Sequence, residues 1–132
     1  MTKPRSDPES GPIRTIHHVM VAIPSGMEVS ARDFYNGVIG LAEIPKPDVL
    51  QGRGGLWFRV GDLELHLGVD ADFHAARKAH IAFLVDDLAA LRQQVLEHDL
   101  VLVSDDLLPG FDRFYLDDPF GNRLEFLEPL PQ

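Results

Sequence analysis

The chain has 132 residues, 45% hydrophobic and 25% charged, a composition that suits one soluble globular domain or two small halves sharing a core. Its 21 acidic against 12 basic residues give a formal charge of −9, which repels nucleic acid and anionic lipid and removes both as expected partners. There is no cysteine, so disulfides, thiolate-bound zinc, iron–sulfur clusters and a cysteine nucleophile are excluded, and no apolar run approaches the ~18–20 residues of a membrane span.

The opening segment, residues 1–12 (MTKPRSDPESGP), has no hydrophobic stretch of the secretory kind. With three prolines and interleaved charges it reads as a disordered tail, and the expected compartment is the cytoplasm. Residues 13–69 read as a first module. A buried strand covers 18–23 (HVMVAI). A helix over 27–39 follows, with Ala31, Phe34, Tyr35 and Val38 on one face and Gly40 just past its end. Three short strands come next, at about 41–45, 54–60 and 63–69, the last two joined at Gly61-Asp62. Residues 70–78 (DADFHAARK) read as a linker with one or two helical turns. A second module, 79–129, opens on a strand at 80–85 (HIAFLV). Its helix, at 87–98, carries Leu88, Leu91 and Val95 on one stripe and Asp86 or Asp87 as N-cap. Strands follow at about 100–104, 111–117 and 123–128, with the turn D-P-F-G-N at 118–122 before the last.

The two modules repeat each other. Each reads β-α-β-β-β, and each opens on a histidine, His18 or His80, ahead of five mainly aliphatic residues. The last strands also match, Leu63-Glu64-Leu65 against Leu124-Glu125-Phe126, at nearly equal distances from those histidines. The expected fold class is therefore α+β, built from two βαβββ modules.

The repeat also selects a candidate site. One histidine near a strand start is most often a hydrogen-bonded core or rim residue, but two at equivalent points of a duplicated unit point to a shared role. Strand neighbours face opposite ways, so alignment with His80 selects His18 for the interior and leaves His17 at the surface. Glu125 lies among apolar residues, and a buried carboxylate needs a compensating cation. Arg123, two residues away on the same strand face, would supply one; a metal would be another. His18, His80 and Glu125 form a two-imidazole, one-carboxylate set that suits zinc, manganese, nickel, cobalt or ferrous iron. Glu64 and His66 share a face on the matching strand. Either would complete the set or act as a general base, the alternative for Glu64 being a salt bridge with Arg59.

These segments resemble the vicinal oxygen chelate superfamily, which includes glyoxalase I, fosfomycin-resistance thiol transferases, extradiol dioxygenases, methylmalonyl-CoA epimerase and bleomycin-resistance proteins. The resemblance rests on I-H-H-V-M-V-A-I at 16–23, A-R-D-F-Y-N-G-V-I-G-L at 31–41 and L-E-L-H-L-G at 63–68. It continues through H-I-A-F-L-V-D-D-L at 80–88 and R-F-Y-L-D-D-P-F-G-N-R-L-E-F-L-E-P at 113–129. It implies paired modules around a cavity, with metal ligands on the first and last strands. Residue by residue these are His18, His80 and Glu125, with Glu64 or His66 from the first module. The chain lacks the glutathione-contacting insertions of glyoxalase I and has too few modules for the two-domain dioxygenases.

Alternation places Trp57 and Arg59 on the wall of the first cup, and Arg113 and Tyr115 on that of the second. An arginine there would hold a substrate carboxylate or phosphate, or pair with a surface acid. Two functions follow as expectations. The first is a metal-dependent lyase, isomerase or transferase acting on a small oxygen-rich substrate, with Glu64 as the catalytic carboxylate and His66, Trp57, Arg59 and Arg113 around the substrate. The alternative is a metal-free protein that binds a small molecule or antibiotic. Open half-barrels would expose strand edges, so a homodimer is expected.

Overall fold

A computed structural model describes residues 11–131. Most of the tail expected at 1–12 lies outside the described residues. Among the described residues eight strands form two four-stranded mixed sheets. The first sheet holds β1 (His18–Ile23), β2 (Ala42–Ile44), β3 (Leu56–Val60) and β4 (Leu63–Val69) in the order β1-β4-β3-β2. The second holds β5 (Ile81–Leu84), β6 (Leu102–Asp105), β7 (Phe111–Asp117) and β8 (Arg123–Pro129) in the order β5-β8-β7-β6. In both, the first and last strands run parallel and the remaining pairs are antiparallel hairpins. The expected α+β class and paired sheets are what the chain adopts.

One face of each sheet packs on its helix. In the first sheet Leu56, Phe58, Leu65 and Leu67 are buried against Ala31, Phe34, Tyr35 and Val38, the four residues the periodicity selects. The helix itself departs from expectation. α1 covers only Glu28–Arg32, and residues Asp33–Val38 continue it as a π-helix. Ile39 N–H donates to Phe34 O at 3.1 Å, a five-residue step that widens the turn. Phe34 and Tyr35, adjacent in sequence, are both buried there. In the second module α2 (Leu88–Glu97) is regular, and Asp87 caps it by accepting from Ala90 N–H at 3.0 Å. Two other details differ. The linker forms no helix, only a turn and bends, and residues Asp48–Arg53, between β2 and β3, form a 3-10 helix that the sequence reading does not contain.

The halves are joined through a buried polar knot. Tyr35 Oη donates to Asp118 Oδ2 at 2.7 Å. Asn122 Nδ2 donates to Asp118 Oδ2 and to Ala22 O on β1, each at 2.9 Å, and Asn122 Oδ1 accepts from Ala76 N–H at 2.9 Å. One turn thereby grips the first helix, the first strand and the linker. Edge strands β1 and β5 line the same clefts, so the sheets meet side by side.

Candidate functional site

The face of each sheet that carries no helix holds an imidazole pair or an imidazole–carboxylate pair. On the second sheet His80 Nε2 lies 2.8 Å from Glu125 Oε1. His80 Nδ1 donates to Lys78 O at 2.7 Å, which orients the ring and directs Nε2 toward the carboxylate. Glu125 is buried, 6% exposed. The partner of its second oxygen is Arg113, whose Nη1 donates to Oε2 at 3.1 Å. Arg123, the cation suggested by strand spacing, does not pair with it; β7 supplies Arg113 diagonally across the ladder instead. Arg113 Nη2 also donates to Asp105 Oδ1 at 3.3 Å. Desolvation works against the Arg113 charge, but the bonds to Glu125 and Asp105 outweigh it and hold its pKa above the ordinary arginine value. Asp105 is held below the usual carboxylate range, first by the Leu107 N–H and then by Arg113.

On the first sheet the rings of Trp57, His66 and His18 stack in sequence. Trp57 and His66 lie 3.8 Å apart and 3° from parallel, and His66 and His18 lie 4.2 Å apart and 13° from parallel. His66 is buried, and its Nε2 lies 2.9 Å from Glu64 Oε1. Arg59 approaches Glu64 at 3.6 Å. The hydrogen bond from His66 is the main cause that holds the Glu64 carboxyl below its ordinary value, ahead of the opposing desolvation and the added attraction of Arg59. His17 and His18 are both exposed, so the expected interior place of His18 does not hold within one copy of the chain; their Nδ1 atoms lie 3.0 Å apart.

Strand register revises the internal match. On the first sheet Met20 stands opposite His66, and on the second Ala82 stands opposite Glu125. With His18 matched to His80, the counterpart of Glu125 is therefore His66, not Glu64. Trp57 opposite His66 corresponds to Tyr115 opposite Glu125. The resulting fourfold set, His18, His66, His80 and Glu125, has two members on each sheet. Among the described residues no three His, Asp or Glu side chains converge within the chain.

The donor chemistry fits a cation. With the Nδ1 proton of His80 committed to Lys78 O, Nε2 and a carboxylate oxygen 2.8 Å apart need a positive species between them, either a proton or a metal ion. Nitrogen and oxygen donors without sulfur suit a divalent transition ion.

Paired βαβββ sheets with an imidazole at the first strand of each and a carboxylate on the last strand of the second define a glyoxalase-type protein. The family model described as Glyoxalase/Bleomycin resistance protein/Dioxygenase superfamily matches residues 15–126, and the chain belongs to that superfamily. The chain is 45% identical to a glyoxalase family protein from Bacillus anthracis, whose crystal structure superposes with a TM-score of 0.87 over 89% of this chain and 97% of that one. A glyoxalase/dioxygenase from Nostoc punctiforme shares 18% identity at a TM-score of 0.76, over 99% of this chain and 100% of that one. Lactoylglutathione lyase from Agrobacterium tumefaciens shares 23% identity at 0.67, over 89% of this chain and 95% of that one. The last two likenesses bear on the fold alone. A search of curated proteins finds no match to the chain.

Proposed function

We propose that the chain is a metal-dependent enzyme of the glyoxalase type, an isomerase, lyase or transferase acting in the cytoplasm on a small oxygen-rich molecule. A divalent ion (zinc, manganese, nickel, cobalt or iron) is held by His18, His80 and Glu125, with His66 in the fourth position. The observation that carries this reading is the His80–Glu125 pair, in which the imidazole Nε2 and a carboxylate oxygen stand 2.8 Å apart with the other ring nitrogen already committed.

When bound, such an ion supplies Lewis-acid stabilisation to neighbouring substrate oxygens. The chain's own residues do the rest. Glu64, kept ionised by His66, is the general base that accepts a substrate proton at its carboxylate. Arg113 is already shared between Glu125 and Asp105. Its part near the substrate is to hold Glu125 in place, more than to capture a substrate anion. Trp57 walls the first-sheet pocket and keeps His66 flat against His18, while Arg59 stands at the rim and steadies Glu64.

The set is completed by two copies of the chain. Its members sit on different sheets, and the helix-free faces expose Met20, Leu84 and Val103 at 60%, 72% and 61%, apolar surface that a second copy would cover.

Metal content of untagged protein and reconstitution with manganese or zinc by calorimetry test the reading. The expected outcome is near-stoichiometric binding, weakened at least about tenfold in His18→Ala and in His80→Ala. Parent-like binding by both variants would remove the proposed centre. A ligand-induced melting shift with no metal requirement would favour a metal-free binding protein.

A further inference from the structure

A cavity of about 240 Å³ on the first sheet is lined by two cations, Lys46 just after β2 and Arg53 at the end of the 3-10 helix. Neither forms an ion pair among the described residues. Arg32 and Arg59 of the same module are neutralised, by Glu43 and Glu64. In a chain with 21 acids against 12 bases, two cations without a carboxylate on one cavity are the exception. Lys46 is half-buried, and its ammonium donates to Gly54 O. That bond fixes its position and leaves two of its three donors for a ligand. Two acids of the surrounding segments are engaged elsewhere. Asp48 Oδ1 accepts from the Gln51 side chain at 3.4 Å, and Glu28 Oε2 accepts from Gly55 N–H at 2.9 Å.

The remaining walls are mainly apolar and include Met20, Leu50, Trp57 and Gly68. Gly68 leaves the space open, and only the Met20 thioether lies over it: a Cβ there would stand 2.7 Å from Met20 Sδ. Strand register joins this cavity to the site proposed above. Met20 and Trp57 flank His66 in the ladder, and the Trp57 ring is stacked on His66 at 3.8 Å. Gly68 follows His66 by two positions on β4, on the same helix-free face and ~7 Å along the strand. We propose that the substrate of the metal site carries a phosphoryl group, bound by Lys46 and Arg53, with its short carbon chain passing Met20 and Trp57 toward His66. The reacting end of this assignment rests on the metal reading; the phosphoryl site rests only on the cavity and its two cations. A phosphate monoester is largely a dianion at neutral pH and offers three terminal oxygens, which suits an ammonium and a guanidinium arriving from separate segments. A planar carboxylate would be satisfied by the guanidinium fork alone.

Trp57 is the single tryptophan of the chain, so its fluorescence reports occupancy of this cavity directly. Chelator-treated protein is titrated with butyl phosphate and with pentanoate. The expected result is a saturable change in emission with butyl phosphate, and affinity about tenfold weaker for pentanoate. Butyl phosphate should bind about tenfold more weakly in Lys46→Gln and in Arg53→Gln, and with little change in Arg53→Lys and Arg77→Gln. The comparison of the two anions on the unaltered chain stands even if Lys46→Gln, which also loses its bond to Gly54, fails to fold. Calorimetry on manganese-loaded protein then compares butyl phosphate with 3,4-dihydroxybutyl phosphate, the same chain bearing two neighbouring oxygens. The diol should bind at least about tenfold tighter with manganese than without, a gain absent for butyl phosphate and in His80→Ala. No saturation by butyl phosphate, equal or tighter binding of pentanoate, or unchanged affinity in a folded Arg53→Gln would overturn the phosphoryl site. Bound manganese with no gain for the diol would overturn its place in the substrate. Saturation by butyl phosphate in a chain that takes up no manganese would remove the metal reading and the substrate assignment with it, so the two failures are told apart.

Discussion

Asp118 is buried at 4% exposure, and among the described residues no cation pairs with it. It is stabilised by donors alone: the Tyr35 hydroxyl, the Asn122 side chain and the backbone N–H groups of Phe120 and Asn122. Tyr35→Phe removes the donor that ties this turn to the first helix and should cost about 1–3 kcal/mol at neutral pH, read by urea denaturation. The pH dependence has a definite sign. Burial, reinforced by Asp118, pushes the Tyr35 hydroxyl far above its ordinary value of 10.0. The folded state keeps the proton where the unfolded chain loses it, so the stabilisation is complete below that value and is lost as pH rises past it. The parent should lose about 1.4 kcal/mol per pH unit from this group above that point, a component absent in Tyr35→Phe. The sequence shows D-P-F-G-N as a turn but not as a clamp, because Tyr35 lies 83 positions away and falls on an apolar helical stripe, where it reads as core. Likewise the partner of Glu125 is invisible locally. Arg123 sits two residues off, yet Arg113 reaches it from the neighbouring strand.

At the scale of the elements, periodicity and composition locate the strands, but pairing sets the register. Glu64 and Glu125 occupy matching local sequences, L-E-L and L-E-F, and that likeness points to the wrong counterpart. The ladders match His66 with Glu125 because register depends on loops and packing over whole strands. The entry to β3 shows how tightly that geometry is held. Gly55 has φ +85, and a Cβ there would lie 2.1 Å from Leu67 O on β4. Its N–H donates to Glu28 Oε2 at 2.9 Å. Gly55→Ala must push β3 off β4 and should lower stability by about 2–4 kcal/mol, measured by urea or thermal unfolding. Gly37, within the π-helix, has no atom within 4 Å of a built Cβ. Gly37→Ala should be neutral or stabilising by up to about 1 kcal/mol, since the gain is in chain entropy. Loss of more than that in Gly37→Ala would show that the widened turn needs glycine.

For the whole molecule, duplication makes the architecture legible, since each half repeats the same order of elements, but the assembly of the site is not encoded locally. The proposed ligands lie in two pairs, His18 with His66 and His80 with Glu125, on separate sheets, and a second copy is the proposed means of uniting them. Mixing two inactive variants tests this directly. His18→Ala and Glu125→Ala are each expected to bind metal poorly as homodimers. If His18 of one copy meets His80 and Glu125 of the other, a mixed dimer holds one site with every ligand intact and one lacking both altered groups. Random exchange makes about half the dimers mixed, so about a quarter of all sites should bind manganese at parental affinity, counted by calorimetry or paramagnetic relaxation. If subunits exchange, as mass spectrometry would register, and no tight sites return, the ligands of each centre come from one chain.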